Sequence, residues 1–220
     1  ELGSFLRDSM LPKIYQDMEA RGWPTCPYVN PVKETPDDGI EDFLEVPRFS
    51  TGYAALHHTI GFMPETHMLK PFADRYASMR ALVEVVLEFT IKNSEKIQAL
   101  RAAEKKLAAE KTLWAVQWKA DHNKPSSFRF KGYQAIYSPS KIGNYTRRSY
   151  DRNQPWEKDI AYYEHFVEDV VITTPKAYLI PQAWREVIER LQWNGVELQR
   201  LTEDRPMQVQ TYRIKNVSTR

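Results

Sequence analysis

Pro47-Arg48-Phe49-Ser50-Thr51-Gly52-Tyr53, followed shortly by Thr59-Ile60-Gly61-Phe62-Met63-Pro64-Glu65-Thr66-His67-Met68-Leu69-Lys70, is the stretch on which the reading of this chain turns. Ile60 to Met63 form a compact apolar run bounded by Gly and Pro, which predicts a short buried strand. That places Glu65 just past the strand's C-terminal end. In an open α/β sheet ligands and reacting groups gather at that end, so a carboxylate there is a candidate general base.

Outward from this stretch the periodicities are clear. Downstream, Pro71 stands at a helix start, and Phe72, Tyr76, Met79, Leu82, Val83, Val86, Phe89 and Thr90 mark one apolar face expected to pack on a sheet. Asn93-Ser94 permits a break, after which Ile97, Leu100, Ala103 and Leu107 give a narrower stripe on a connecting helix. Upstream, Leu2, Phe5, Leu6, Met10, Ile14, Tyr15 and Met18 recur at helical spacing. Pro12 interrupts them with a kink or a new first turn, and Gly22 stands where a C-terminal cap belongs. From Trp23 to Gly39 the density of Pro, Asp and Gly predicts a long loop. Phe43 to Val46 fits either a short strand or that loop's continuation.

Past residue 110 the character changes. Leu113–Trp118 and Ser127 through Tyr137 are rich in aromatic and β-branched residues with partial alternation, as strands are. Pro181 to Leu191 reads as one helix, with Trp184, Val187, Ile188 and Leu191 on one side and Gly195 beyond its end. Val196–Leu201 and Met207–Ile214 alternate as two strands around a Glu203-Asp204-Arg205-Pro206 turn. The expectation is an α/β portion over residues 1–110 and a small β-rich accessory domain with one helix over residues 111–220.

The 220 residues, 42% hydrophobic and 12% aromatic, suffice to bury a core. With 31 basic against 29 acidic residues the net charge is only +2, which argues against a nucleic-acid partner. No apolar run is long enough to span a bilayer. The single cysteine, Cys26, cannot close an internal disulfide and leaves the redox compartment open. A periplasmic or secreted location fits such a chain, with any export signal expected upstream of Glu1.

The run from Arg48 through Glu65-Thr66-His67 to Lys70, with the long helix behind it, resembles the C-terminal half of the catalytic domain of zinc carboxypeptidases, in their bacterial branch. Thr174-Pro175-Lys176-Ala177-Tyr178-Leu179-Ile180-Pro181 resembles, more weakly, the tail that such bacterial proteins carry after the catalytic domain. The likeness covers roughly residues 1 to 95. It implies the C-terminal part of a carboxypeptidase-like α/β/α mixed sheet, a peptide substrate and one Zn²⁺. Glu65 matches the glutamate that activates the zinc-bound water, and Tyr53 and Arg48 match the tyrosine and arginine that bind the terminal carboxylate and polarise the scissile carbonyl. The family's zinc ligands, a His-x-x-Glu pair and a later His, are expected upstream of Glu1. The chain begins there without an initiator Met and inside a helical pattern, as an interior portion would. The first 95 residues should therefore leave a hydrophobic sheet edge for the N-terminal half of the catalytic domain, or a second copy, to cover.

Two local patterns suggest metal within the chain. His165-Phe166-Val167-Glu168 matches a bare His-x-x-Glu, and His57-His58 with Glu65-x-His67 gathers imidazoles and a carboxylate. The order of the first is the reverse of the family's, no metal-protease helix motif supports the second, and neither is assigned as a ligand set. Beside the catalytic reading stands a second one, a non-catalytic peptide-binding or assembly module on the same scaffold. The tyrosines and Trp156 of the accessory domain, near Arg147, Arg148 and Arg152, offer flat contact area for a carbohydrate or peptide, though most should be core.

Overall fold

The computed structural model describes residues 1–213 and 215–217. It shows an α/β chain of two compact units, Glu1–Thr174 and Pro175–Arg220.

The first unit opens with α1 (Leu2–Phe5), one turn of π-helix over Leu6–Met10 and α2 (Leu11–Ala20). Pro12 accounts for the sequence of forms. It donates no hydrogen bond, and in a regular helix its ring would collide with the carbonyl of Asp8. The wider π turn falls there, and Pro12 sits in the first turn of α2. Gly22, at φ +79°, then ends the helix: Gly22 N–H donates to Glu19 O at 2.9 Å and Trp23 N–H to Met18 O at 2.9 Å. After the long loop come β1 (Ile40–Glu41), α3 (Ser50–Leu56), α4 (Phe72–Lys92) and α5 (Ser94–Glu110), with Pro71 capping α4 and Asn93 dividing the last two.

Met10, Ile14 and Met18 interlock with Ala81 and Val85 of α4, joined at the margin by Ile60, Leu82, Val86 and Phe89. This is helix-on-helix packing, so α4 does not lie on a sheet as its periodicity suggested. Its second apolar stripe, Phe72, Tyr76, Val83, Leu87 and Ile91, is exposed. The predicted strand Ile60–Met63 is also absent. Ile60 is anchored in the helical core, and the following residues run irregularly with no neighbouring strand to pair their backbone. Residues 1–110 thus contribute a single two-residue strand, and Phe43–Val46 is loop.

The sheets come from later residues. β3 (Ser126–Pro139) and β4 (Thr146–Tyr163) form a long antiparallel hairpin, with β1 added in parallel to the base of β4 through Ile40↔Tyr162 and Glu41↔Tyr163. β2 (Leu113–Ala120) pairs antiparallel with β5 (Phe166–Thr173). Ile40, Phe130, Ile160 and Tyr162 make the sheet's core, with Phe128 and Trp156 at its margin. The end of α5 coincides with the change of character near residue 110, but the β1–β4 pairing ties the two sides together, and the compact units divide after Thr174 instead.

In the second unit α6 (Arg185–Trp193) ends as Gly195 at φ +72° lets Gly195 N–H reach Gln192 O and Val196 N–H reach Leu191 O at 2.9 and 3.0 Å. The alternating stretches 196–201 and 207–213 form no strands, and Ile214 lies outside the described residues. A period of two specifies a face but not a partner strand, and no ladder forms beside either stretch.

Candidate functional site

The two quoted blocks of sequence adjoin in space. A turn closed by Phe49 N–H to Val46 O, at 2.9 Å, leads into α3, whose first turn is set by Tyr53 N–H to Phe49 O at 2.8 Å. Gly52 is buried beneath this turn. A Cβ there would fall on the carbonyl oxygen of Val46 and within 2.5 Å of that of Glu45, so only glycine admits the approach. Gly61 of the second block lies against the same helix, where an added Cβ would stand 3.3 Å from Ala54 Cβ and 3.4 Å from Thr51 Cα.

Between the blocks the chain turns sharply at His58, at φ +51° the only non-glycine residue with positive φ among those described. His58 N–H donates to Ala55 O and Thr59 N–H to Ala54 O, both at 3.0 Å, which ends α3 with a histidine where glycine is usual. Arg101 of α5 braces the corner: its Nε donates to His58 O at 2.8 Å and its guanidinium to Thr59 Oγ1 at 3.0 Å. A left-handed non-glycine residue held by surrounding structure is a form of local strain that clusters at functional sites. Next to Gly52, Glu45 Oε2 and Thr51 Oγ1 are buried without a hydrogen-bond partner among the described residues.

Tyr53 lies on α3 with its ring edge-on to His57 at 5.0 Å. Arg48 is exposed and lies over the Phe49 ring. Glu65 is exposed on the irregular segment after Gly61, not at the end of a strand as the sequence suggested. His67 Nδ1 accepts from Leu69 N–H at 3.2 Å, folding the segment back before α4. Among the described residues no group of three or more His, Cys, Asp or Glu could hold a metal ion, so His57-His58 with Glu65 and His67 does not form a ligand set. His165 faces Ser126 Oγ at 3.4 Å.

That serine belongs to a second polar cluster without a sequence motif to announce it. Tyr162 OH donates to Asp42 Oδ2 at 2.8 Å, and Ser126 OH to Glu164 Oε1 at 2.6 Å. Phe128 meets Tyr15 and Tyr162 edge-on at 5.7 and 6.0 Å. Burial, reinforced by the Asp42 carboxylate, holds the phenols of Tyr162 and Tyr15 well above the usual tyrosine range, so both remain protonated donors. A cavity of about 410 Å³ opens here between the π turn and the sheet, lined by Arg7, Leu11, Tyr15, Ser126, Phe128 and Glu164 among others. Its Ser, His and Glu do not form a nucleophile relay, because the carboxylate takes the serine proton directly instead of orienting the imidazole. The signal available in the sequence was the period-two spacing of Phe128 and Phe130, and of Ile160 and Tyr162, which marks a sheet face but not the polar groups at its end.

No helix among the described residues is long and apolar enough to cross a membrane. No family model, curated protein or solved structure matches the chain.

Proposed function

We propose that this chain is the C-terminal portion of a zinc-dependent carboxypeptidase, in which Glu65 is the general base. The observation that carries the reading is the packing of the Thr59–Lys70 block on α3 through Gly61, beside the Arg48–Tyr53 block seated on Gly52. This contact brings the start of the Glu65 segment against the helix that carries Tyr53, at a corner that Arg101 braces through His58 O and Thr59 Oγ1. In this reading an exposed carboxylate on an irregular segment meets the water that attacks the peptide carbonyl, takes its proton and returns it to the leaving amine. Arg48 binds the substrate's terminal carboxylate and Tyr53 donates to the developing oxyanion. The reading requires zinc ligands from residues outside this chain, and the metal, when bound, would supply Lewis acidity toward the water and the carbonyl.

The exposed stripe of α4, from Phe72 to Ile91, supports the part of the reading in which another layer of the catalytic domain covers this portion. It equally favours the alternative of an assembly module without chemistry. Peptide hydrolysis separates them. The parent chain carrying the upstream half, loaded with zinc, is expected to release C-terminal residues from peptides, and Glu65→Gln to lower turnover by at least about 100-fold with zinc content unchanged. Hydrolysis within a few-fold of the unmodified protein would remove Glu65 from the mechanism, and no hydrolysis at all by the zinc-loaded parent would favour the assembly module.

A further inference from the structure

The far half of the β3–β4 hairpin, residues 133–152, is an arm whose charge is out of proportion to the rest of the chain. It carries Lys141, Arg147, Arg148 and Arg152 against a single acid, Asp151, a balance of +3 in a protein whose net charge is +2. Asp151 keeps its charge and is already counted in that balance; its carboxylate accepts from Asn153 N–H at 2.9 Å and Gln154 Nε2 at 2.8 Å, within the bulge that separates the arm from the base of the hairpin, instead of pairing with one of the cations. Among the described residues no carboxylate pairs with any of the four cations. Tyr133, Tyr137, Tyr145 and Tyr150 are exposed around them.

The arm also has an open edge. β4 lies between β1 and β3, yet β1 meets it only at Tyr162 and Tyr163, so the outward backbone groups of Thr146–Asp151 have no strand beside them. Consecutive residues of a strand point to opposite faces, so Arg147 and Arg148 flank this edge one on each side. An extended segment added along the edge likewise sends neighbouring side chains to opposite faces. Two adjacent acids in it would each meet one arginine while its backbone completes the ladder. A second copy of the arm would bring its own positive charge and be repelled. A nucleic-acid strand needs cations in a row on one face, whereas these are divided between two faces, the bulge and the tip.

We infer that the β4 edge of this arm, Thr146–Asp151, docks an acidic peptide segment in extended conformation. The inference does not rest on peptidase activity. It is tested on the full chain at low salt by fluorescence anisotropy with a short labelled peptide containing Glu-Glu flanked by valine and threonine. Saturable binding that weakens with added salt is expected. R147E/R148E should reduce affinity at least about tenfold. The same peptide N-methylated at every residue keeps its charge but has no backbone N–H to donate along either edge, and should not bind. Absence of binding to the unmodified chain would show that the arginines only guard the edge against unwanted pairing. Equal binding of the N-methylated peptide, retained binding by R147E/R148E, or tighter binding of a single-stranded oligonucleotide of matched charge would each overturn the inference.

Discussion

The segment bearing Glu65 and the sheet end bearing Tyr162 are assembled from similar side chains on opposite terms. Around Glu65 the charged and phenolic groups are exposed, and order is imposed on the backbone beneath them by two glycines, one strained histidine and one arginine. Around Tyr162 the groups are inside, and each is matched to a partner: phenol to Asp42, serine to Glu164, ring to ring. A buried polar group must be satisfied or it destabilises the fold, whereas an exposed one can meet a ligand from solvent. The difference teaches where to look for stability and where for chemistry. In the first cluster the exposed Glu65 side chain should be silent in folding measurements and decisive in activity, while the backbone beneath it carries the stability; the second cluster should matter to folding alone.

The largest expected effect is the one that would break this contrast outright. In the zinc-loaded parent, Glu65→Gln is expected to lower turnover by about 100-fold or more, yet in this chain it should leave the urea midpoint unchanged, since the side chain is exposed. A shift of the midpoint comparable to a core substitution would place Glu65 among the structural residues.

Next in size is the backbone beneath the segment. Gly52→Ala forces a methyl group onto the Val46 and Glu45 carbonyls, neither of which can move without displacing the turn into α3. A loss of about 3 kcal/mol in urea unfolding is expected, at the upper end of what overpacking costs. A neutral substitution would mean that the turn and helix do not approach as closely as described, and the two sequence blocks would lose their common base.

Tyr162→Phe tests the other cluster. It leaves Asp42 Oδ2 without its donor, Oδ1 still accepting from Phe43 N–H, and should cost roughly 1–2 kcal/mol while sparing hydrolysis by the parent. It also has a pH signature. Burial first, then Asp42, raises the phenol's pKa in the folded chain, so the unfolded chain surrenders this proton earlier, near pH ~10. Stability from this group is therefore complete below about pH 10 and falls above it, by at most about 1.4 kcal/mol per pH unit. Urea unfolding between roughly pH 9 and 11 should show a shallower decline in Tyr162→Phe, with Tyr15 supplying what remains. Parallel declines in the two proteins would mean that the hydroxyl titrates freely.

Periodicity found what periodicity can find. The helices of α2, α4 and α5, the breaks at Pro12 and Asn93, and the caps at Gly22 and Gly195 were legible because each depends on neighbours within a turn or two. Ile60–Met63 misled because an apolar run declares burial without naming the surface that buries it, and here Ile60 goes to a helical core. α4 misled similarly: it is apolar on two faces, and sequence alone could not tell which one α2 would take. Arg48, Tyr53 and Glu65 were visible as a motif. Arg101, which braces their corner from 42 residues beyond Thr59, and Asp42, which meets Tyr162 across 120, were not, because pairings that distant leave no local trace.

Arg101 supplies the smallest expected effect and the finest division between the clusters. Its guanidinium is exposed, so its two hydrogen bonds to the His58 corner compete with water, and Arg101→Ala should cost only about 0.5–1 kcal/mol in urea unfolding of this chain. The corner it releases carries positive-φ strain at His58 and leads directly into the segment bearing Glu65. In the parent, loosening that corner should lower turnover more than it raises KM, because positioning a base matters most in the transition state. His58→Gly in the same background removes the strain that Arg101 opposes and should recover part of the lost turnover. If Arg101→Ala changed stability as predicted but left turnover untouched, the corner would be structural only, and the neighbourhood around Glu65 would not depend on the brace.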